Sequence, residues 1–195
     1  MMTAMPTLRH LLSAFCLFSF CLAVAAASAA DPAKTLFGVE LGTRFLFPAC
    51  ARGEDTMTRR HCYSEALTAQ TSWNATEYHV FYPRTEPAPY ARGEMVIAVI
   101  NGNIEAIHIH TWGIEGQGTA LEALTKKYGP PARSYTEKIK AHRSRYPSRF
   151  AEWEFQDFSV RLDGTTSTID WGRITLATHR YRQLAKNHGA PSAPK

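Results

Sequence analysis

The chain has 195 residues, 22 of them Lys or Arg and 17 Asp or Glu, for a formal net charge of +5; hydrophobic residues make up 45% and there are four cysteines. It shows no internal repeat and no glycine spacing of a nucleotide-binding loop, which excludes a repeat array and a phosphate-cradling NTPase. The excess of basic residues suits an acidic partner or a membrane surface.

Residues 1–30 read as a signal peptide. Arg9 is their only Lys or Arg, and from Leu11 to Ala30 the chain carries no charge, with Leu and Phe first and Ala later. A charged start, an apolar middle and small residues at the end are the features of an export leader of bacterial type. Cleavage after Ala29 or Ala30 starts the mature protein at Ala30 or Asp31, an uncleaved membrane anchor being the alternative. Cys16 and Cys21 each follow a Phe, where a lipoprotein cysteine needs a small residue. The mature chain then has about 165 residues, enough for one domain with a sizeable core over 31–188. The last stretch, 189–195, reads as a disordered tail. A periplasmic or secreted location follows, and it removes nucleic acid from the partners.

Without the leader only Cys50 and Cys62 remain. An even pair in an oxidising compartment reads as one disulfide, the alternatives being two free thiols or half of a metal site. The loop between them carries Arg52, Glu54, Asp55, Arg59, Arg60 and His61, and a closed loop of that kind is a pre-organised recognition element. Asn74-Ala75-Thr76 is a glycosylation sequon that matters only in a eukaryotic secretory pathway. A strand is expected around "EYHVFYP", before a Pro-rich loop.

"EMVIAVINGNIEAIHIHTW" predicts a hairpin with strands at about 94–100 and 103–112, since Asn101-Gly102 accepts the positive φ angles of a type I′ turn. His108 and His110 are two apart, so they share a face. A two-residue loop groups them with Met95, Ile97 and Val99, leaving Val96, Ala98, Ile100, Ile107 and Ile109 for the face beneath a helix; a one-residue change of register reverses this. His-x-His on a strand is half of a zinc site, with His61, His79 or His142 as the third ligand, or else an ordinary pair at the edge of the core.

A helix follows in "GTALEALTKKYGPP". Thr119 and Glu122 form a capping box, Leu121, Leu124 and Tyr128 share the face laid on a sheet, and Gly129-Pro130 stops it. Residues 133–149 concentrate Arg133, Lys138, Lys140, Arg143, Arg145 and Arg149 against Glu137, and read as a solvated connecting loop that can seek an acidic or membrane partner. "FAEWEFQDFSVRLDG" and "STIDWGRITLATH" alternate as strands, with Glu152 and Glu154 on the wet side, and "HRYRQLAKNH" forms a short last helix. The expected fold is a single α+β domain: a largely antiparallel sheet, one main helix on a face and a short C-terminal helix.

The helix ending in "LTKKYGPP" and followed by antiparallel strands resembles the BamE/SmpA family of small envelope modules, whose helix runs into a similar stop before the sheet. The resemblance covers about a third of the chain; Tyr128-Gly129-Pro130-Pro131 stands where that family has Leu-Gly, and a lipidated cysteine is lacking. It implies a non-catalytic envelope scaffold or binding module and carries over no functional residue.

No Gly-x-Ser-x-Gly elbow or His-Glu-x-x-His helix is present, and His61 beside Cys62 points away from it on an extended chain. The residues thus favour an exported, non-catalytic binding or scaffold protein of the cell envelope acting through protein contacts. Its expected contact residues are Arg52, Arg59, Arg60, Arg143 and Arg145, with no cofactor. The alternatives are a zinc-binding protein or zinc hydrolase built on His108 and His110, and an enzyme inhibitor or immunity protein presenting the disulfide loop.

Overall fold

The computed structural model describes residues 33–51, 60–67, 75–83, 88–141 and 143–188, all within the compact unit Asp31–Lys195. The leader, Arg52, Arg59, Asn74, His142 and the tail 189–195 lie outside the described residues. Strands β1 (Thr35–Leu36) and β2 (Val39–Glu40) form a small hairpin of their own. Eight further strands form one antiparallel sheet: β3 (Cys62–Leu67), β4 (Ala75–Phe81), β5 (Ala91–Ile100), β6 (Asn103–Thr111), β7 (Arg133–Ala141), β8 (Ser144–Glu154), β9 (Phe158–Asp163) and β10 (Gly172–Thr178). Their spatial order is β3-β4-β5-β6-β10-β9-β8-β7. Helix α1 (Gly113–Tyr128) connects β6 to β7, and α2 (His179–Asn187) follows β10. The fold is α+β with strand dominating, one main helix and a short C-terminal one, as the alternation patterns predict.

The larger core lies on one side of the sheet. Met95, Ile97, Ile107, Ile109, Val160, Leu162, Ile174 and Leu176 are buried there by strand alternation. Helix α1 covers β6, β10, β9 and β8 with Ala120, Leu124 and Tyr128. Leu36, Phe37, Val39 and Leu41 of the β1–β2 region join the same core, Phe37 stacking on Tyr82 at 4.4 Å. Trp153 is 2% exposed, and its indole Nε1–H donates to Gly129 O at 2.8 Å, tying the end of α1 to β8.

Helix α1 starts seven residues earlier than the capping box at Thr119 and Glu122 predicts. Its first residue is Gly113, and the residue before it, Trp112, supplies no side-chain cap. The backbone satisfies the first turn instead: Ile114 N–H donates to Ile169 O at 2.9 Å. Gly113, at φ +48°, permits this approach, because a Cβ there would stand 2.0 Å from Ile169 O. The C-terminal stop is as expected, with Gly129 at φ +80° donating its N–H to Thr125 O.

Residues 133–149 are a second correction. They are not a connecting loop; they form β7 and most of β8, paired from Arg133↔Glu152 to Ala141↔Ser144 at the edge of the sheet. Similarly, "STIDWGRITLATH" becomes a strand only from Gly172, and Ile169 and Trp171 sit in the loop before it.

The Asn-Gly turn forms as predicted, with Asn101 at φ +53°, Gly102 at φ +80° and Ile100 opposite Asn103. Ile107 and Ile109 lie under α1 as expected, with the histidines on the other side, but the β5 residues that accompany each face are exchanged. Val99 pairs with Ile104 but Ala98 pairs with Ala106, so Glu105 is an extra residue and a β-bulge shifts the register. Beyond it Val96 faces His108, and Met95 and Ile97 join Ile109 and Ile107 under α1. The smaller cluster on the other side holds Ala75, Ala98, Ile100, Ala106, Ala177 and Tyr181, and α2 lies on it.

Candidate functional site

The two histidines share the α2 side of the sheet but have different surroundings. His108 lies under α2, where Nδ1 shares a hydrogen bond with Thr175 Oγ1 at 3.1 Å and Nε2 shares one with Tyr181 Oη at 3.1 Å. Burial above all, then the charges of Arg173 and His110, lowers its pKa to about 3. The imidazole is neutral and both of its nitrogens are engaged. Offering a lone pair to zinc would break one of these bonds. His110, one pleat further on, meets Trp171 edge-on at 5.3 Å, and its Nδ1 is buried without a hydrogen-bond partner. Burial lowers its pKa too, against the opposing charge of Glu94.

Of the expected third ligands, His142 lies outside the described residues, and His61 and His79 are engaged elsewhere. His61 Nε2 bonds to Phe37 O at 2.8 Å and stacks on Phe47, while His79 sits 3.8 Å from Glu94. Among the described residues no three His, Cys, Asp or Glu side chains are grouped to hold a metal ion. Among the described residues His108 and His110 thus have no third ligand beside them.

Helix α2 is fixed by polar contacts around the bulge. Glu105 accepts from the Thr178 hydroxyl and from Arg180 Nη1, and Thr178 Oγ1 in turn accepts the Tyr181 N–H at 3.1 Å, capping the helix. Arg182 reaches Glu152 and Glu154 on β8. These two carboxylates form the wet side of their strand and anchor α2.

Cys50 and Cys62 form the expected disulfide, with Cα atoms 4.9 Å apart. Cys50 N–H donates to Tyr63 O and Tyr63 N–H to Pro48 O, so the bridge rests on a backbone ladder. Arg60, the one predicted contact arginine of this loop among the described residues, is exposed. No helix among them is long and apolar enough to cross a membrane.

Most of the cations of the segment 133–149 are sorted by strand pairing. Lys138 stands opposite Pro147, Lys140 opposite Arg145 and Thr136 opposite Arg149, so alternation places Lys138, Lys140, Arg145 and Arg149 on one face of the β7–β8 hairpin. That is the face on which Ala151 enters the main core; Arg143 lies at the turn. All five are exposed and none forms an ion pair among the described residues. The opposite face is aromatic: Tyr135 stacks on Phe150 at 4.7 Å, with the Arg161 guanidinium 4.7 Å from the Phe150 ring. A cleft of about 210 Å³ opens there between the hairpin and the loop 164–169.

A further cluster had no expectation attached to it. The Arg92 guanidinium lies between the indoles of Trp112 and Trp171, 4.0 and 3.7 Å from their centres, and its Nη2 donates to Asp170 O. Arg173 stands directly across from His110 on β10. These residues come from three separated stretches of sequence, and the only local sign of them is the placement of the tryptophans at the end of β6 and before β10.

Searches with this chain match no family model, no curated protein and no solved structure. The fold and its surfaces define the class of protein that can be described: a disulfide-bonded α+β domain with a basic edge hairpin.

Proposed function

We propose that the protein is an exported, non-catalytic binding module of the cell envelope that docks on an acidic protein through the β7–β8 hairpin. One observation carries the reading: the register that gathers Lys138, Lys140, Arg145 and Arg149 on one exposed face, with Arg143 at the tip. Cations on an edge strand discourage pairing with another copy of the same strand. They leave an oppositely charged surface as the complementary partner, and steer its approach over roughly one Debye length. The disulfide and the leader support export. The BamE/SmpA resemblance implies the same class.

The test is a pair of substitutions, Arg143→Glu and Arg145→Glu, in the mature protein. The wild type should bind a poly-glutamate peptide, and co-purify an acidic envelope protein, with an affinity that falls steeply with added salt. The double variant should lose both while unfolding at the same temperature. Binding that survives the charge reversal or ignores salt refutes the reading. Binding to vesicles containing an anionic phospholipid, with none to the peptide, transfers the surface from a protein to a membrane partner.

A further inference from the structure

Four buried polar side-chain atoms among the described residues lack a hydrogen-bond partner: Arg92 Nε, His110 Nδ1, Thr111 Oγ1 and Arg173 Nε. All four lie at one end of β5, β6 and β10. Buried polar groups are ordinarily satisfied, so such a concentration calls for a cause. The two arginines are not alike. Arg92 is held by two indole faces and by Asp170 O. Arg173 has neither a ring partner nor an ion pair among the described residues.

The acids on which the charge of Arg173 acts, Asp163 and Glu77, form no ion pair with it among the described residues. Asp163, its cross-strand neighbour on β9, accepts from Arg161 Nε and Nη2 at 2.9 and 2.7 Å. Glu94 lies against His79. A half-buried guanidinium has lost part of its hydration and feels Asp163 and Glu77 only at a distance, without a close ion pair, so its fork of donors is left for a partner from outside. Its planar fork of N–H donors matches a carboxylate or phosphate through two parallel hydrogen bonds. His110 beside it offers a further ring nitrogen, and Trp171 supplies an apolar wall.

We propose that Arg173 and His110 form a binding site for an organic oxyanion, with Arg173 clasping the oxyanion and Trp171 bordering its carbon body. This site is on the α2 side of the sheet, opposite the face that carries Lys138, Lys140, Arg145 and Arg149. It does not depend on the docking reading. Charge reversal at Arg143 and Arg145 leaves it intact, and a change at Arg173 leaves the hairpin cations intact, so either idea can fail alone.

The experiment is an NMR titration of the mature, disulfide-bonded protein with inorganic phosphate and, separately, with acetate, each against sodium chloride at equal ionic strength. The resonances followed are the indole N–H groups of Trp112 and Trp171 and the ring of His110. Saturable shifts with phosphate or acetate, absent with chloride and abolished in Arg173→Gln, support the site; the anion that saturates identifies phosphate or carboxylate as the ligand group. Arg173→Lys keeps the charge but not the fork, and should bind about tenfold more weakly. Shifts that are linear or equal with chloride overturn the proposal. So do saturable shifts that persist in Arg173→Gln, or, should that variant not fold, an Arg173→Lys affinity equal to the wild type.

Discussion

Lowering the pH from about 7.5 to about 4.5 should remove about 3 kcal/mol of stability through His108 alone. In the fold its pKa is about 3, because the ring is buried under Tyr181 and α2. In the unfolded chain it returns to about 6.5. Between those values the unfolded chain binds a proton that the folded one refuses. The stability is therefore fully present above the unfolded value and is lost as the pH falls toward the folded one. At a pH about two units below the unfolded value, each unit is worth about 1.4 kcal/mol. His110 is shifted in the same direction by burial. Glu77 and Asp163, whose pKa values burial raises, act in the opposite sense, since each is relieved of an unfavourable buried charge as the pH falls through its raised folded value toward its unfolded one. The assay is urea unfolding followed by tryptophan fluorescence across that range, for the wild type and for His108→Gln. Glutamine keeps a donor and an acceptor for Thr175 and Tyr181 but does not titrate. The wild type should lose about 3 kcal/mol more than the variant. Equal losses in the two proteins, or a folded-state titration of His108 near its unperturbed value, would refute the reasoning.

Replacing both Cys50 and Cys62 by Ser should cost about 3 kcal/mol from the freed loop entropy, read as a lower urea midpoint with reductant-insensitive unfolding; a loss under about 1 kcal/mol would mean the unfolded chain is already constrained there. Gly118→Ala, where an added methyl meets nothing within 4 Å, should stabilise α1 by about 0.5 to 1 kcal/mol. The contrasting Gly113→Ala, where it would meet Ile169 O at 2.0 Å, should lower the melting temperature steeply; a neutral result there would show that the loop before β10 yields easily. Tyr181→Phe removes the hydroxyl bonded to His108 Nε2 and should cost about 1 to 3 kcal/mol, with faster amide exchange in α2 as the local readout.

The elements were legible in the sequence wherever local chemistry decides them. Asn101-Gly102 fixed a turn, Gly129 fixed a helix end, and Cys50 and Cys62 were the only pair left to bond. The errors arose where a distant contact decides. Glu105 looks like any polar strand residue until Thr178 and Arg180 arrive to bind it, and its bulge changes which β5 residues share the face of His108. The first turn of α1 contains Gly113 and Gly116, poor helix formers that are required because the backbones of Ile169 and Tyr90 approach them. In residues 133–149 the charges obscured a period of two that Tyr135, Ile139, Tyr146 and Phe150 carry. The Arg92, His110 and Arg173 cluster had no local sign beyond the tryptophans at the end of β6 and before β10, since strand order brings it together.

The bulge also explains why one side of the sheet remains open for binding. It sets Ala98, Ala106 and Ala177 in adjacent register, a strip of small side chains across three central strands. A short helix can lie close to such a strip, and α2 does so with Tyr181 and the partly buried Leu184 and Ala185. Its nine residues extend only about 14 Å, less than the width of the sheet. Tyr181 consequently closes over His108, while His110 and Arg173 one pleat further on lie beyond that contact. The difference between a neutral His108 held by Thr175 and Tyr181 and a His110 next to an arginine with no ion pair among the described residues thus follows from one inserted residue and the length of one helix.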